Sequence, residues 1–175
     1  MELIESREIA APRDQVWAAL LDAEVLKTCV PGCETMEGSA SEGFTAEVVQ
    51  KVGPVKARFK GAVTISDVVE GQSCTLSGEG KGGAAGFAKG EARVTLADSE
   101  TGTLLSYEVN AKVGGKLAQL GSRLIDGFAR KMADQFFERF QATVEGPAAD
   151  EDQQDDAAPD EGGEKKGWLK RVISS

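Results

Sequence analysis

Apolar and polar residues alternate through much of the first 113 residues, and a helical period replaces that alternation afterwards. Phe44–Val52 carries Phe44, Ala46 and Val48 on one side. Val55–Val69 places Phe59, Val63, Ile65 and Val69 on one face, and Ser73–Gly80 alternates through Cys74, Leu76 and Gly78. Ala88, Gly90, Ala92, Val94 and Leu96 alternate with Lys89, Glu91, Arg93 and Thr95. Leu105, Tyr107, Val109, Ala111 and Val113 alternate with Ser106, Glu108, Asn110 and Lys112. Period two predicts half-buried antiparallel strands. Glycine turns at Val52-Gly53-Pro54 and Glu70-Gly71 join them as hairpins. A first strand is expected at Leu3–Ala10 and a short one at Glu34–Glu37.

Three helices complete the pattern. Pro12 suits a first helical turn and Asp14 complements the dipole there; Val16, Trp17, Leu20 and Leu21 form the buried stripe. A second helix spans Ala23–Cys29 and ends at Pro31-Gly32. The third is expected over Lys116–Glu145, where Leu120, Leu124, Phe128, Met132, Phe136, Phe140 and Val144 recur every four residues. At 1.5 Å per residue it would be roughly 45 Å long, enough to cross a sheet. A sheet with one long helix on its apolar face buries one side of each element, so an α+β fold of about seven antiparallel strands is expected over residues 1–145.

Beyond Glu145 the composition changes. Residues 146–164, GPAADEDQQDDAAPDEGGE, contain no Val, Ile, Leu, Met or aromatic residue and carry eight acids without a base. Such a segment buries too little to offset its ordering entropy and is expected to be a disordered acidic linker. Residues 165–175, KKGWLKRVISS, have the opposite chemistry. Trp168, Leu169, Val172 and Ile173 share one helical face, with Lys165, Lys166, Lys170 and Arg171 before and beside it. This is a candidate docking tip, for a membrane interface or for a partner's groove.

The formal net charge is −9; linker and tip account for −8 and +4, which leaves residues 1–145 at −5. A mildly acidic domain argues against a nucleic-acid footprint. No run resembles a secretory signal or a transmembrane helix, and three cysteines in a chain able to build its own core point to a reduced, cytoplasmic setting. The chain has no histidine, which removes the commonest general base, most zinc sites and the His-activated nucleophiles. Neither a metal site nor a catalytic acid–base pair is expected. Gly78-Glu79-Gly80-Lys81-Gly82-Gly83 fits a dinucleotide-loop spacing, but a strand follows where a helix is required. A hairpin is the better reading. The small residues Ala88, Gly90, Ala92 and Ala111 leave either a cavity or tight contact beneath the long helix.

The order strand, two short helices, about six strands, long helix resembles the helix-grip fold of the START-like superfamily. More specifically, Ala11-Pro12, Val16-Trp17 and Val30-Pro31-Gly32-Cys33 resemble the G-subunit family of carbon monoxide dehydrogenase, as do Gly82–Gly90 and Val113–Arg123. The resemblance implies a non-catalytic accessory protein of a molybdenum hydroxylase-type carbon monoxide dehydrogenase, acting in its recruitment to the cytoplasmic membrane. It also implies a cavity between sheet and helix for a hydrophobic small molecule, bound non-covalently. A respiratory quinone such as menaquinone fits a partner that must pass electrons into the bilayer. The expected cavity residues are Phe59, Val63, Phe87, Val94, Tyr107, Val109, Leu117, Leu120, Gly121, Leu124 and Phe128. Phe87 is read as a gate and Tyr107 as a hydrogen-bond partner for a carbonyl. Two other readings stay open: a recruitment adaptor without ligand, and a START-like enzyme acting on an apolar molecule.

Overall fold

The computed structural model describes residues 1–151, with side chains to Gly146. The sequence-predicted linker beyond Glu151 and the tip, with Lys165, Lys166, Trp168, Leu169, Lys170, Arg171, Val172 and Ile173, lie outside the described residues. Residues Met1–Gln141 form one compact unit, and the chain from Ala142 onward belongs to a second.

The elements are β1 (Glu2–Ile9), α1 (Arg13–Leu20), α2 (Ala23–Cys29), β2 (Cys33–Ser39), β3 (Gly43–Val52), β4 (Val55–Val69), β5 (Ser73–Lys81), β6 (Phe87–Asp98), β7 (Thr103–Gly114) and α3 (Ser122–Glu151). The seven strands form one antiparallel sheet in the order β1-β7-β6-β5-β4-β3-β2. Every neighbouring pair but β1/β7 is a sequential hairpin, so period-two patterning and glycine turns fix most of the topology locally. Pro12 precedes α1, and Asp22 caps α2 by accepting hydrogen bonds from the amides of Glu24 (2.8 Å) and Val25 (3.3 Å).

The long helix differs from its expectation at both ends. Gly115–Leu120 forms a 3-10 turn, Gly121 takes φ +92°, and α3 begins only at Ser122. Two adjacent glycines at 114 and 115 and a third at 121 leave the intervening turn free to tighten rather than join the helix. At its far end α3 runs to Glu151 through Gly146-Pro147, six residues past the expected stop. The four-residue row of apolar positions also does not stay on one face. Four residues turn 400°, so the row advances 40° at each step. Ile125, Phe137 and Phe140 are buried, whereas Leu124 is 40% exposed.

Candidate functional site

The register sorts the sheet into two faces. Inward rungs run Gly61–Gly80–Ala88–Val113 and Val63–Gly78–Gly90–Ala111 across β4 to β7. Both rungs are built mainly of glycine and alanine, so the sheet has a low floor here, close to the ends of β5, β6 and β7. The next rung, Ile65–Leu76–Ala92–Val109, is taller. On α3, Phe128 packs with Val52, Leu117 and Ile125 and Phe136 with Phe137 and Phe140, with Met132 between them in sequence. The apolar residues of the rungs, with Phe128, Met132 and Phe136, are half-buried, while those at the two ends of the domain are sealed.

One end is closed by Val52, Leu117 and Ile125, with Met1, Val55, Phe59, Val113, Leu120 and Phe128 packed against them. The other end is closed by Val94, Leu96, Leu105, Tyr107, Phe137 and Phe140. A trough lies over the Gly61–Gly80 rung, beside the first of these ends. A Cβ built on Gly80, which faces inward, meets no atom of a described residue within 4 Å. One on Gly61 meets only backbone of the neighbouring strand, at 3.4 Å or more. Packed interiors leave few such spaces, so the sheet floor here is not filled by the helix.

The predicted cavity residues divide accordingly. Phe59, Val63, Val109, Leu120 and Phe128 are half-buried around the trough. Phe59 lies across the inward side of Gly82, whose Cβ would come within 2.5 Å of its ring. Leu117 belongs to one closed end and Val94 to the other. Three expectations are corrected. Gly121 sits before α3 rather than a turn inside it, and is exposed. Leu124 points away from the core, toward Gly53 of the β3–β4 turn. Phe87 has the outward parity of Lys89, Glu91 and Arg93, and its ring covers the outer side of Gly114, so it is not a lining residue.

Tyr107 brings the largest change of role. Its hydroxyl donates to Glu5 Oε1 at 2.5 Å and accepts from Arg7 Nη2 at 3.3 Å. Arg7 also donates to Glu5 (3.0 Å) and to Asp134 of α3 (2.7 Å), and its guanidinium lies 5.1 Å from the centre of the Phe137 ring. Arg130 approaches Glu5 Oε2 at 3.5 Å, and Phe137 stacks on Tyr107 with ring centres 5.1 Å apart. The phenol therefore ties edge strand β1 to β7 and α3, and its proton is committed to Glu5. The hydrogen bond from Tyr107 holds the Glu5 carboxyl below the ordinary carboxylate range. Burial, reinforced by Glu5, pushes Tyr107 up to about 12. Burial opposes the charge on Arg7, but its bonds to Asp134, Tyr107 and Glu5 outweigh that and stabilise the cation. Glu5 and Arg7 were legible only as parity: they fall on the same side of β1 as the buried Leu3 and Ile9.

These shifts set the pH limits of the latch. The folded pKa of Glu5 lies below its unfolded value, so its contribution is present above about pH 4.5 and lost as pH falls through the folded value. Tyr107 is raised from 10 to about 12, so its contribution is complete below pH 10 and disappears as pH climbs toward 12. Tyr107→Phe is expected to abolish the alkaline arm and to cost about 1 kcal/mol at neutral pH, read by urea unfolding. Tyr107 is the only tyrosine, so a phenolate absorbance titration of the native chain reads this group alone. A midpoint at the ordinary value would contradict the Glu5 contact.

Among the described residues no group of histidines, cysteines or carboxylates is placed to hold a metal ion. No helix among them is long and apolar enough to cross a membrane.

Comparison with known proteins is concordant. None of the curated proteins compared matches the chain in sequence. A conserved protein from Geobacillus kaustophilus of known structure superposes with a TM-score of 0.76 at 27% identity, covering 82% of this chain and 95% of its own. A Thermus thermophilus protein shares the fold at TM-score 0.65 and 17% identity, covering 85% and 99%. A Rhizobium leguminosarum protein does so at 0.64 and 15%, covering 83% and 95%. The family model for the G subunit of carbon monoxide dehydrogenase (CoxG) matches residues 6–145, the whole of the sheet beyond the start of β1 and most of α3. With that span of agreement the chain belongs to the CoxG family of carbon monoxide dehydrogenase, whose members are accessory subunits.

Proposed function

We propose that this protein is a non-catalytic carrier that holds a respiratory quinone in the trough and moves it between the cytoplasmic membrane and a molybdenum-containing carbon monoxide dehydrogenase. The observation that carries this reading is the unfilled floor over Gly80 and Gly61, walled by half-buried apolar side chains and bounded by the Val52, Leu117 and Ile125 cluster. An isoprenoid tail is the natural complement of such a space, because apolar surface removed from water contributes about 25 cal/mol per Å² with no directional demand. Tyr107 does not hold the ring carbonyl, since Glu5 takes its proton. Apolar fit therefore sets affinity, and quinones differing in tail length are expected to exchange readily. The basic tip, with Trp168 among Lys165, Lys166, Lys170 and Arg171, would keep the domain near the bilayer.

Mass spectrometry of the organic extract from purified protein tests the carrier role. Quinone close to stoichiometric with the chain is expected. An extract holding no quinone, with carbon monoxide dehydrogenase still captured from a lysate, would reduce the protein to a recruitment adaptor.

A further inference from the structure

The outer face of the sheet is patterned by charge in a way the trough does not explain. At the end bearing the β3–β4 turn, the Gly82–Gly86 loop and the Gly114–Leu120 turn, lysines stand directly opposite lysines. The pairs are Lys51 with Lys56, Lys60 with Lys81, and Lys89 with Lys112. Like charges directly opposite on neighbouring strands destabilise a sheet. Glu47 stands across from Lys60 and Glu79 across from Lys89, so acids reach only part of the cluster. All six lysines are exposed, and none makes an ion pair with a described residue. Lys116 and Arg123 continue the positive charge into the turn before α3 and its first residues; both are exposed too.

The hairpin tips at the other end carry the opposite sign: Glu42 between β2 and β3, Glu70 between β4 and β5, Asp98 at the end of β6 and Glu100 between β6 and β7. A chain of net charge −9 thus concentrates cations at one end of its sheet. In the midst of them Phe87, directly opposite Lys81, is 41% exposed, and Leu124 beside Gly53 is 40% exposed. Lysines surrounding a few projecting apolar side chains match a bilayer interface, with phosphates at the level of the ammonium groups and apolar groups just below.

We infer that this lysine-paired end of the sheet is a docking surface for an anionic lipid bilayer, separate from the C-terminal tip. It deepens the carrier reading and rests on it: the loops that meet the bilayer are those whose residues Val52 and Leu117 close one end of the trough. The like-charged pairs, unfavourable in the free protein, are relieved when lipid phosphates lie over them.

Sedimentation of the full-length chain with quinone-free vesicles tests the surface. Vesicles of phosphatidylcholine alone are compared with vesicles in which phosphatidylglycerol replaces part of it. In one background Lys165, Lys166, Lys170 and Arg171 are all changed to Gln to silence the tip. Binding to the anionic vesicles is expected to persist there. Adding Lys56→Glu, Lys81→Glu and Lys112→Glu should weaken it by at least 100-fold, taking roughly fivefold per charge neutralised. The same three changes turn each like-charged pair into an opposite-charged one, so the melting temperature should hold or rise. A loss of binding with an undiminished melt supports the proposal. Unchanged binding, equal binding to neutral vesicles, or loss of dehydrogenase capture with vesicle binding intact would overturn it; the last would assign the surface to a protein. Quinone in the extract of the unmodified chain decides the carrier reading independently of all these outcomes.

Discussion

Under the proposed carrier role, Gly80→Leu is expected to cut quinone retention without unfolding the protein. Gly80 lies inward on β5 between Gly61 and Ala88, its backbone is not in the left-handed region, and a Cβ there meets no atom of a described residue within 4 Å. A leucine therefore enters space that the fold leaves open, and strand propensity favours it over glycine. Filling a cavity of this kind commonly stabilises by about 1 kcal/mol. For a ligand on the same floor the added carbons are an overpacking, worth about 1–3 kcal/mol, or a loss of roughly 5- to 150-fold in retained quinone. The readout is paired: quinone per chain in the organic extract, and the thermal melt of the same preparation. Gly127→Ala on the exposed part of α3, where an added Cβ also meets no atom of a described residue within 4 Å, should leave quinone content unchanged. Retention of quinone by a folded Gly80→Leu protein would place the ligand elsewhere.

Arg7→Ala is expected to loosen the helix from the edge of the sheet. The guanidinium joins Asp134 of α3 to Glu5 of β1 and to the Tyr107 hydroxyl, and lies over Phe137. Its loss leaves Glu5 with Tyr107 and the more distant Arg130, so no carboxylate is stranded without a partner. Asp134 is 67% exposed and regains water, which discounts that arm of the interaction. The remaining charge-assisted bonds and the contact with Phe137 sum to about 2 kcal/mol, equivalent to a fall in melting temperature of roughly 5 °C. Arg7→Lys should recover part of the loss, because all three acceptors are served by the one nitrogen Nη2, but not the packing of the flat guanidinium on Phe137. An unchanged melt for Arg7→Ala would mean that the packing of Ile125, Phe137 and Phe140 alone holds the helix.

The element order, the hairpins and the apolar sides of β3 to β7 were readable from the chain, because alternation and glycine turns are local properties; Val69 is the exception, since a register shift after Ser66 breaks the alternation of β4 and leaves it exposed. The inward, half-buried placement of Phe59, Val63 and Val109 followed from strand parity in the same way. The start of α3 was not readable, since Leu117 and Leu120 keep an apolar period that a 3-10 turn satisfies as well as a helix does. Phe87 was misplaced because its large apolar ring outweighed its parity, which puts it with Lys89 on the outer face. Leu124 was misplaced by the drift of a four-residue repeat around a 3.6-residue helix.

By itself the sequence determined the α+β class, the strands and their inward faces, and membership of a family, all of which follow from short-range pattern or from matching runs. Only the tertiary structure decided that the floor over Gly80 stays unfilled, that the hydroxyl of Tyr107 belongs to Glu5 about a hundred residues away, and that lysines oppose lysines at one end of the sheet. Each of these depends on register and on the separation of packed elements. A shift of one residue would exchange the two faces of a strand, and nothing in a single segment's composition fixes that choice.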